Sequence, residues 1–257
     1  MDYLIIFNNF TAIISFLVGV PSIIALSIKI YRYFCDIRYA KKILGFDKQP
    51  VQITQCIFEI EMKNYDERYY ITHSSIIALN NTIELLNITG QKFYLIDNSR
   101  EAINEINIGG FVANKTVSSY IKKYFPDFKF IIDSNNGKAY QQNPVDKDIF
   151  ILSDNKKQFK IGKKILDMSD GSVDYAILIK LTKDDFKDVN KKTVHIVFGG
   201  GDLGTIKATE YLATNYKSIY RTFGKKHYFF ALEVRETDRK INDSIGIMDF
   251  TNEMFIQ

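Results

Sequence analysis

The chain has 257 residues, enough for one substantial domain and a small accessory region. Its formal charge of +4 is modest, and the paired lysines at 122–123, 156–157, 163–164, 191–192 and 225–226 sit in a chain rich in Lys, Asn and Ile throughout, so charge alone selects no anionic partner. Two cysteines, Cys35 and Cys56, exclude a disulfide framework or a cysteine metal site, and none of His73, His195 and His227 stands at metal-ligand spacing.

The first element is apolar. From Tyr3 to Ile28 there is no charged side chain, and the run from Phe10 to Ile28 is followed by Lys29, Arg32, Arg38, Lys41 and Lys42. Roughly 20 apolar residues at 1.5 Å per residue match a hydrocarbon core of about 30 Å. A signal peptide would carry its charges before the apolar run and a small-residue cleavage site after it, whereas here the flank is Tyr31-Arg32-Tyr33-Phe34. Residues 1–34 are therefore expected to form a single transmembrane helix in the inner (cell) membrane. The basic flank places the N-terminus outside and the rest in the cytoplasm. Pro21 after Gly19 predicts a kink, and Ser15, Gly19 and Ser22 approximate the small-residue spacing that lets helices approach closely. Cys35, at the expected boundary, is either a palmitoylation site or a passive thiol.

Residues 35–100 read as a juxtamembrane connector and the first part of the cytoplasmic region. Asp36 to Leu44 is a short basic helix ended by Gly45, and Gln52 to Met62 alternates as a strand. Thr72 or Ser74 caps a helix carrying Ile76, Ile77, Ile83 and Leu86 at helical spacing and closed by Gly90. Lys92 to Asp97 is a strand.

Residues 101–257 alternate strand, glycine loop and helix. Ala102–Ile108 is a strand, then come Gly109-Gly110 and a helix to about Tyr124, ended before Pro126. Further strands are expected at Phe128–Asp133, Ile149–Leu152, Gln158–Ile161 and Tyr175–Leu181, the last forming a hairpin toward Thr193. The strand Thr193–Phe198 leads into Gly199-Gly200-Gly201-Asp202-Leu203-Gly204, a helix from Thr205 to about Thr222, and a strand at Tyr228–Arg235. The alternation argues for an α/β, Rossmann-like sandwich with a parallel or mixed sheet.

Glycines between strand and helix let backbone N–H groups reach a ligand, and the helix N-terminus favours an anion. The candidate binding residues are Gly109, Gly110, Asn114, Lys115, Gly199, Gly200, Gly201, Asp202, Thr205 and Lys207. Gly199-x-Gly201-x-x-Gly204 fits the dinucleotide fingerprint, but no acidic residue stands about 20 positions on, and only about 50 residues follow, too few for a full dinucleotide-binding sheet. No Gly-Lys-Ser/Thr occurs, so it is not a P-loop. Tight packing is the plain alternative for both loops, and helix capping for Asn114 and Asp202. No nucleophile elbow, HExxH or paired-carboxylate motif is present, and His195 lies in a strand, where a satisfied core histidine is the common case. No catalytic residue, metal or cofactor is expected.

The segments Ile108–Lys115, Asp174–Lys180 and Phe198–Thr205 resemble a prokaryotic Rossmann-like family found in signalling and defence settings, where such a domain follows a membrane helix. The whole architecture resembles the transmembrane effectors of antiphage systems that pair a membrane protein with a nucleotidyltransferase, the Hailong type in particular. The resemblance implies a cytoplasmic domain sensing a nucleotide or short oligodeoxynucleotide made by that partner enzyme, and membrane helices assembled as an ion channel. One helix per chain encloses no pore, so the reading requires a homo-oligomer, four subunits being the working number. The alternatives are a membrane-anchored enzyme acting on a nucleotide or nucleotide-sugar, with Asp202, His195 and Lys115 as its only candidates, and an adaptor whose loops bind nothing.

Overall fold

The computed structural model describes residues 2–46, 49–55, 58–60, 68–70, 73–96, 103–110, 114–134, 148–186, 193–235 and 247–255, with 2–19, 58–60, 68–70 and 96 described by backbone alone. The chain begins with helix α1 (Asp2–Leu44), which passes through Pro21 and ends at Gly45, whose φ of +67° turns the chain in a conformation that side chains disfavour. Span and basic segment, expected as two helices, are one. Nothing between Lys29 and Asp36 is a glycine or proline that would break it.

Strands β1 (Val51–Thr54), β2 (Phe58–Ile60) and β3 (Arg68–Tyr70) precede helix α2 (His73–Thr89), closed by Gly90 at φ +65°. Then come β4 (Phe93–Ile96), β5 (Asn104–Ile108), α3 (Lys115–Tyr124) and β6 (Phe128–Ile132). Next are β7 (Phe150–Leu152), β8 (Gln158–Ile161), β9 (Lys164–Asp167), β10 (Val173–Thr182) and β11 (Thr193–Gly199). Last are α4 (Asp202–Thr214), α5 (Tyr216–Phe223), β12 (Tyr228–Arg235), β13 (Ile247–Asp249) and the single turn α6 (Thr251–Met254).

The fold is mixed α/β. A seven-stranded sheet runs β13-β12-β10-β11-β5-β1-β4, and a four-stranded sheet runs β7-β6-β8-β9, with β2 and β3 as a separate hairpin. In the large sheet β4, β1, β5 and β11 are parallel, whereas β10, β12 and β13 pair antiparallel. Strands β1 and β4, from the region upstream of residue 100, are hydrogen-bonded into the same sheet as the glycine-loop strands. Strand order reverses between β1 and β5, the place where open α/β sheets hold ligands.

Two cores flank the large sheet. Ala176, Leu178, Val197 and Phe230 face Ala40, Ile43, Leu85, Tyr211 and Ile219 from the helices α1, α2, α4 and α5. Ile177, Ile179, Ile196, Phe198 and Phe229 face α3 and the small sheet. Burial on both faces explains why Ala176–Ile179 reads as an unbroken apolar run rather than an alternation. Rings of Phe128, Phe130, Phe159 and Phe198 meet at centroid distances of 5.2–6.0 Å and join the two sheets.

Two helices differ from expectation. The helix expected from Thr205 to Thr222 is broken at Asn215 (φ −108°, ψ 19°), whose N–H still reaches the Tyr211 carbonyl at 2.8 Å. The break lets Tyr216 and Ile219 turn into the core, where Tyr220 packs edge-on to Tyr39 of α1 at 5.6 Å. Helix α2 buries a small-residue face, Ser74, Ser75, Ala78 and Thr82 with Leu85, while Ile76 is exposed. Small side chains let it lie close on α4, where Asn81 Nδ2 donates to Thr209 Oγ1 at 3.2 Å.

Among the described residues no helix carries a stretch long and apolar enough to cross a membrane. The described part of α1 nonetheless projects Ile23, Ile24, Leu26, Ile28, Ile30, Tyr31, Tyr33 and Phe34 to solvent, 47–70% exposed.

Candidate functional site

The two glycine loops are neighbours. Strands β5 and β11 pair in parallel with Ile108 opposite Val197, the Gly109 N–H (φ +98°) donates to the Val197 carbonyl at 3.0 Å, and a Cβ on Gly110 would lie 3.9 Å from the Gly199 carbonyl. The residues after Gly110, Phe111 to Ala113, lie outside the described residues.

An acidic side chain from the next strand fills the second loop. Asp174, at the start of β10 and nine-tenths buried, accepts from the Gly201 N–H at 3.1 Å and the Gly204 N–H at 2.6 Å through one oxygen, and from the Tyr175 N–H at 2.8 Å through the other. The Gly201 and Gly204 amides open helix α4, so the carboxylate sits where a phosphate would sit at a helix N-terminus. Helix α4 accordingly begins at Asp202, three residues before the Thr205 expected from the sequence. The glycines serve this close approach: a Cβ on Gly204 would lie 2.6 Å from the Tyr175 carbonyl, and one on Gly199 2.3 Å from the backbone of Gly204.

The other candidates divide. The Thr205 hydroxyl closes the loop from inside, donating to the Gly201 carbonyl at 3.1 Å and accepting from the Gly199 N–H at 3.0 Å. Lys207 is covered and pairs with Glu210 at 2.8 Å. Asn114 caps α3, accepting from the N–H groups of Thr116 and Val117 at 3.0 and 3.2 Å and donating to the Ile108 carbonyl at 3.0 Å. Lys115, the first residue of α3, is exposed. Gly201 and Asp202 alone among the ten line the open cleft of about 710 Å³ in front of the loop. Asp174 and Leu203 also line it, and the rest of its wall comes from Asp133 after β6, from Asn155, Lys156 and Lys157 before β8, and from residues 168–173 leading from β9 into β10. Two serines set that turn. Their hydrogen bonds to Asp167 (from Ser169) and Asp170 (from Ser172) hold both carboxyls below the usual carboxylate range. The cleft thus offers lysine cations beside carboxylates, a mixture suited to a polar ligand carrying both an anionic group and hydroxyl or amine donors.

No family model matches this chain, and no curated protein or solved structure is similar to it. The chemistry rests on the residues.

Two features escaped the sequence. The first is a polar patch where strand order reverses. Gln52 of β1 and Glu105 and Asn107 of β5 are buried on one face, with the Tyr120 hydroxyl donating to Glu105 at 2.8 Å and Asn107 Nδ2 to the same oxygen at 3.3 Å. Gln52 Oε1 and Asn107 Oδ1 have no hydrogen-bond partner among the described residues. The only signal was an interior strand, Asn104-Glu105-Ile106-Asn107-Ile108, with polar residues on the side opposite its isoleucines.

The second is a grip on α1. A helix leaves its last carbonyls without partners. Here Lys180 Nζ donates to the Ile43 carbonyl at 2.7 Å, His195 Nε2 to Leu44 at 2.9 Å, and Thr193 Oγ1 to Gly45 at 3.0 Å. A carbonyl only accepts, so His195 carries its proton on Nε2, and its Nδ1 accepts from the Tyr228 hydroxyl at 3.2 Å. Burial pushes His195 down to about 3 and Lys180 to about 8, the nearby charges Lys180 and Lys225 respectively adding to the shift, while burial raises Tyr228. His195, a candidate base from the sequence, is fully buried with both nitrogens engaged. Among the described residues no cluster of His, Cys, Asp or Glu could hold a metal ion.

Proposed function

We propose that this protein is a membrane-anchored, non-enzymatic effector in which α1 spans the bilayer and the mixed α/β domain, Rossmann-like in its parallel half, senses a nucleotide or short oligonucleotide. The observation that carries the reading is the apolar band of α1. Five aliphatic side chains between Ile23 and Ile30 are about half exposed. Covering them returns about 4–8 kcal/mol, taking about 1.5–3 kcal/mol for each fully buried side chain. This band carries the C-terminal part of the uncharged run Tyr3–Ile28 past Lys29 to Ile30, and Tyr31, Tyr33 and Phe34 stand where an interfacial aromatic belt would stand.

In this reading Lys156 and Lys157 meet the ligand's phosphate in the cleft, and Asp202 meets a sugar hydroxyl or base edge. Loop amides contribute only through the rigidity that Asp174 gives them. Ligand binding is transmitted through β10 and β11, which carry both the loop and the grip on α1, and several copies of α1 form the conducting path. A ligand shifts such an equilibrium only by its differential affinity for the two states. The resemblance of the whole architecture to antiphage transmembrane effectors supplies the setting, with the ligand made by a partner nucleotidyltransferase.

The test is fractionation and flux. The full chain is expected in the membrane pellet after an alkaline wash, and vesicles carrying it are expected to release a trapped ion indicator at a rate that changes when copurified nucleotide is removed. Recovery in the soluble fraction, or a release rate indifferent to nucleotide, overturns the proposal.

A further inference from the structure

At the foot of α1, on the side of the grip, a second cleft of about 790 Å³ is lined by Arg38, Lys41, Lys42, Lys183, Lys225 and Lys226, against the single carboxylate of Asp184. Its wall also contains Lys180, 1% exposed, and Gly45. The Lys180 ammonium donates to the carbonyls of Ile43 and Lys225. Among the described residues no ion pair is made by Arg38, Lys41, Lys183, Lys225 or Lys226, whereas Asp36, which stands between the lining residues Phe34 and Ile37 on α1, is taken by Lys217. Converging cations without counter-charges repel one another, and Lys225 lowers the proton affinity of Lys180 for that reason. Such a cleft gains from an anionic group seated among them.

Its position selects which anion. The exposed aromatic end of the apolar band, Phe34, forms the rim. Arg38 and Lys41 lie about 6 and 10 Å beyond it along the helix at 1.5 Å per residue. The headgroup layer on each side of a hydrocarbon core is about 5–8 Å deep. We propose that this cleft is a binding site for the phosphate headgroup of an anionic phospholipid, seated at the membrane surface between α1, the 183–184 turn after β10 and the 225–226 turn before β12. The assignment rests on α1 spanning the membrane, and it is distinct from the glycine-loop cleft.

Each surface basic residue contributes about fivefold to the affinity for an anionic lipid. Full-length protein in a non-ionic detergent is titrated with short-chain phosphatidylglycerol, short-chain phosphatidylcholine and inorganic phosphate, and adducts are counted by native mass spectrometry. Phosphatidylglycerol is expected to bind at least tenfold more tightly than either other probe. In Lys41→Ala/Lys225→Ala/Lys226→Ala its affinity is expected to fall about 100-fold with phosphatidylcholine binding unchanged; the three side chains are exposed, so the fold is retained. Equal binding of the two lipids, or a triple variant with wild-type affinity, overturns the site. Inorganic phosphate binding as tightly as phosphatidylglycerol makes it a free-anion site and overturns the lipid assignment. Flotation on pure phosphatidylcholine vesicles reads the anchor separately: wild type and triple variant float alike if α1 spans, and failure of both to float removes the anchor while the titration still decides the cleft.

Discussion

Replacing Asp174 tests whether the glycine loop is organised around an internal anion. Its carboxylate accepts three N–H groups at 2.6–3.1 Å in a nine-tenths buried position. A hydrogen bond to a charged group contributes about 1.5–3 kcal/mol net. Asp174→Asn keeps one acceptor oxygen for Gly201 and Gly204 but turns an amide N–H toward that of Tyr175 and removes the charge, a loss of about 2 kcal/mol. Asp174→Ala abandons all three bonds, two of them at the start of α4, and we expect about 4 kcal/mol, below the simple sum because Gly201 is partly wet. In a domain of this size 1 kcal/mol moves the melting temperature by about 2–4 °C, so Asn should lower it by about 4–8 °C. The assay is unfolding of the full chain in detergent followed by far-ultraviolet circular dichroism, with and without inorganic phosphate. Phosphate should raise the melting temperature of Asp174→Ala, whose amides are vacated, by more than it raises that of wild type. Variants within about 0.5 kcal/mol of wild type, or a phosphate response equal in both proteins, would mean that the loop is not organised around this carboxylate.

The remaining predictions use the same unfolding measurement. His195 is neutral when folded and titrates near 3, against 6.5 when unfolded, so the unfolded chain binds the extra proton between those values. Stability should therefore fall by up to about 1.4 kcal/mol per unit as pH drops below 6.5. His195→Gln, which retains a donor for Leu44, should flatten that slope, and an unchanged slope counts against the assignment. Lys180 titrates near 8 folded and 10.5 unfolded, so its contribution to stability rises between those values; Lys180→Met should abolish that rise. Gly204→Ala sets a Cβ 2.6 Å from the Tyr175 carbonyl and should destabilise by about 1–3 kcal/mol, whereas Gly90→Ala, with open space around it, should show only the strain of its positive φ. Phe198→Ala, buried between the two sheets, should lose about 3–5 kcal/mol.

What was legible in the sequence is what local chemistry writes. Gly45 and Gly90 end helices, Asn114 caps one, and the aliphatic run in Ala176–Leu181 announces a strand covered on both faces. The two glycine loops were readable as the carboxyl ends of two strands, but that the strands are adjacent, and what occupies the second loop, was not. Asp174 reaches Gly201 and Gly204 across 27 and 30 residues, and no local pattern marks a carboxylate as someone else's cap. The grip was invisible for the same reason, since Lys180, Thr193 and His195 find α1 at separations of 137–151 residues. The break at Asn215 left no signal because neither Pro nor Gly stands there; tertiary packing of Tyr216 and Ile219 decides it. The polar side of β5 was written in the alternation but demanded knowledge that the strand is interior.

Holding a helix by its last two carbonyls and by that of the glycine that ends it makes it a lever. From Leu44 to Val20 the arm is about 36 Å, so a tilt of about 10° at the fulcrum sweeps Val20 through about 6 Å. Switching proteins commonly work with helix displacements of about 1–2 Å at their interfaces. The fulcrum lies on β10 and β11, whose opposite ends carry Asp174 and the glycine loop. A slide of one strand against the other by a fraction of an ångström, too small to disturb the sheet, is thereby magnified at the far end of the arm.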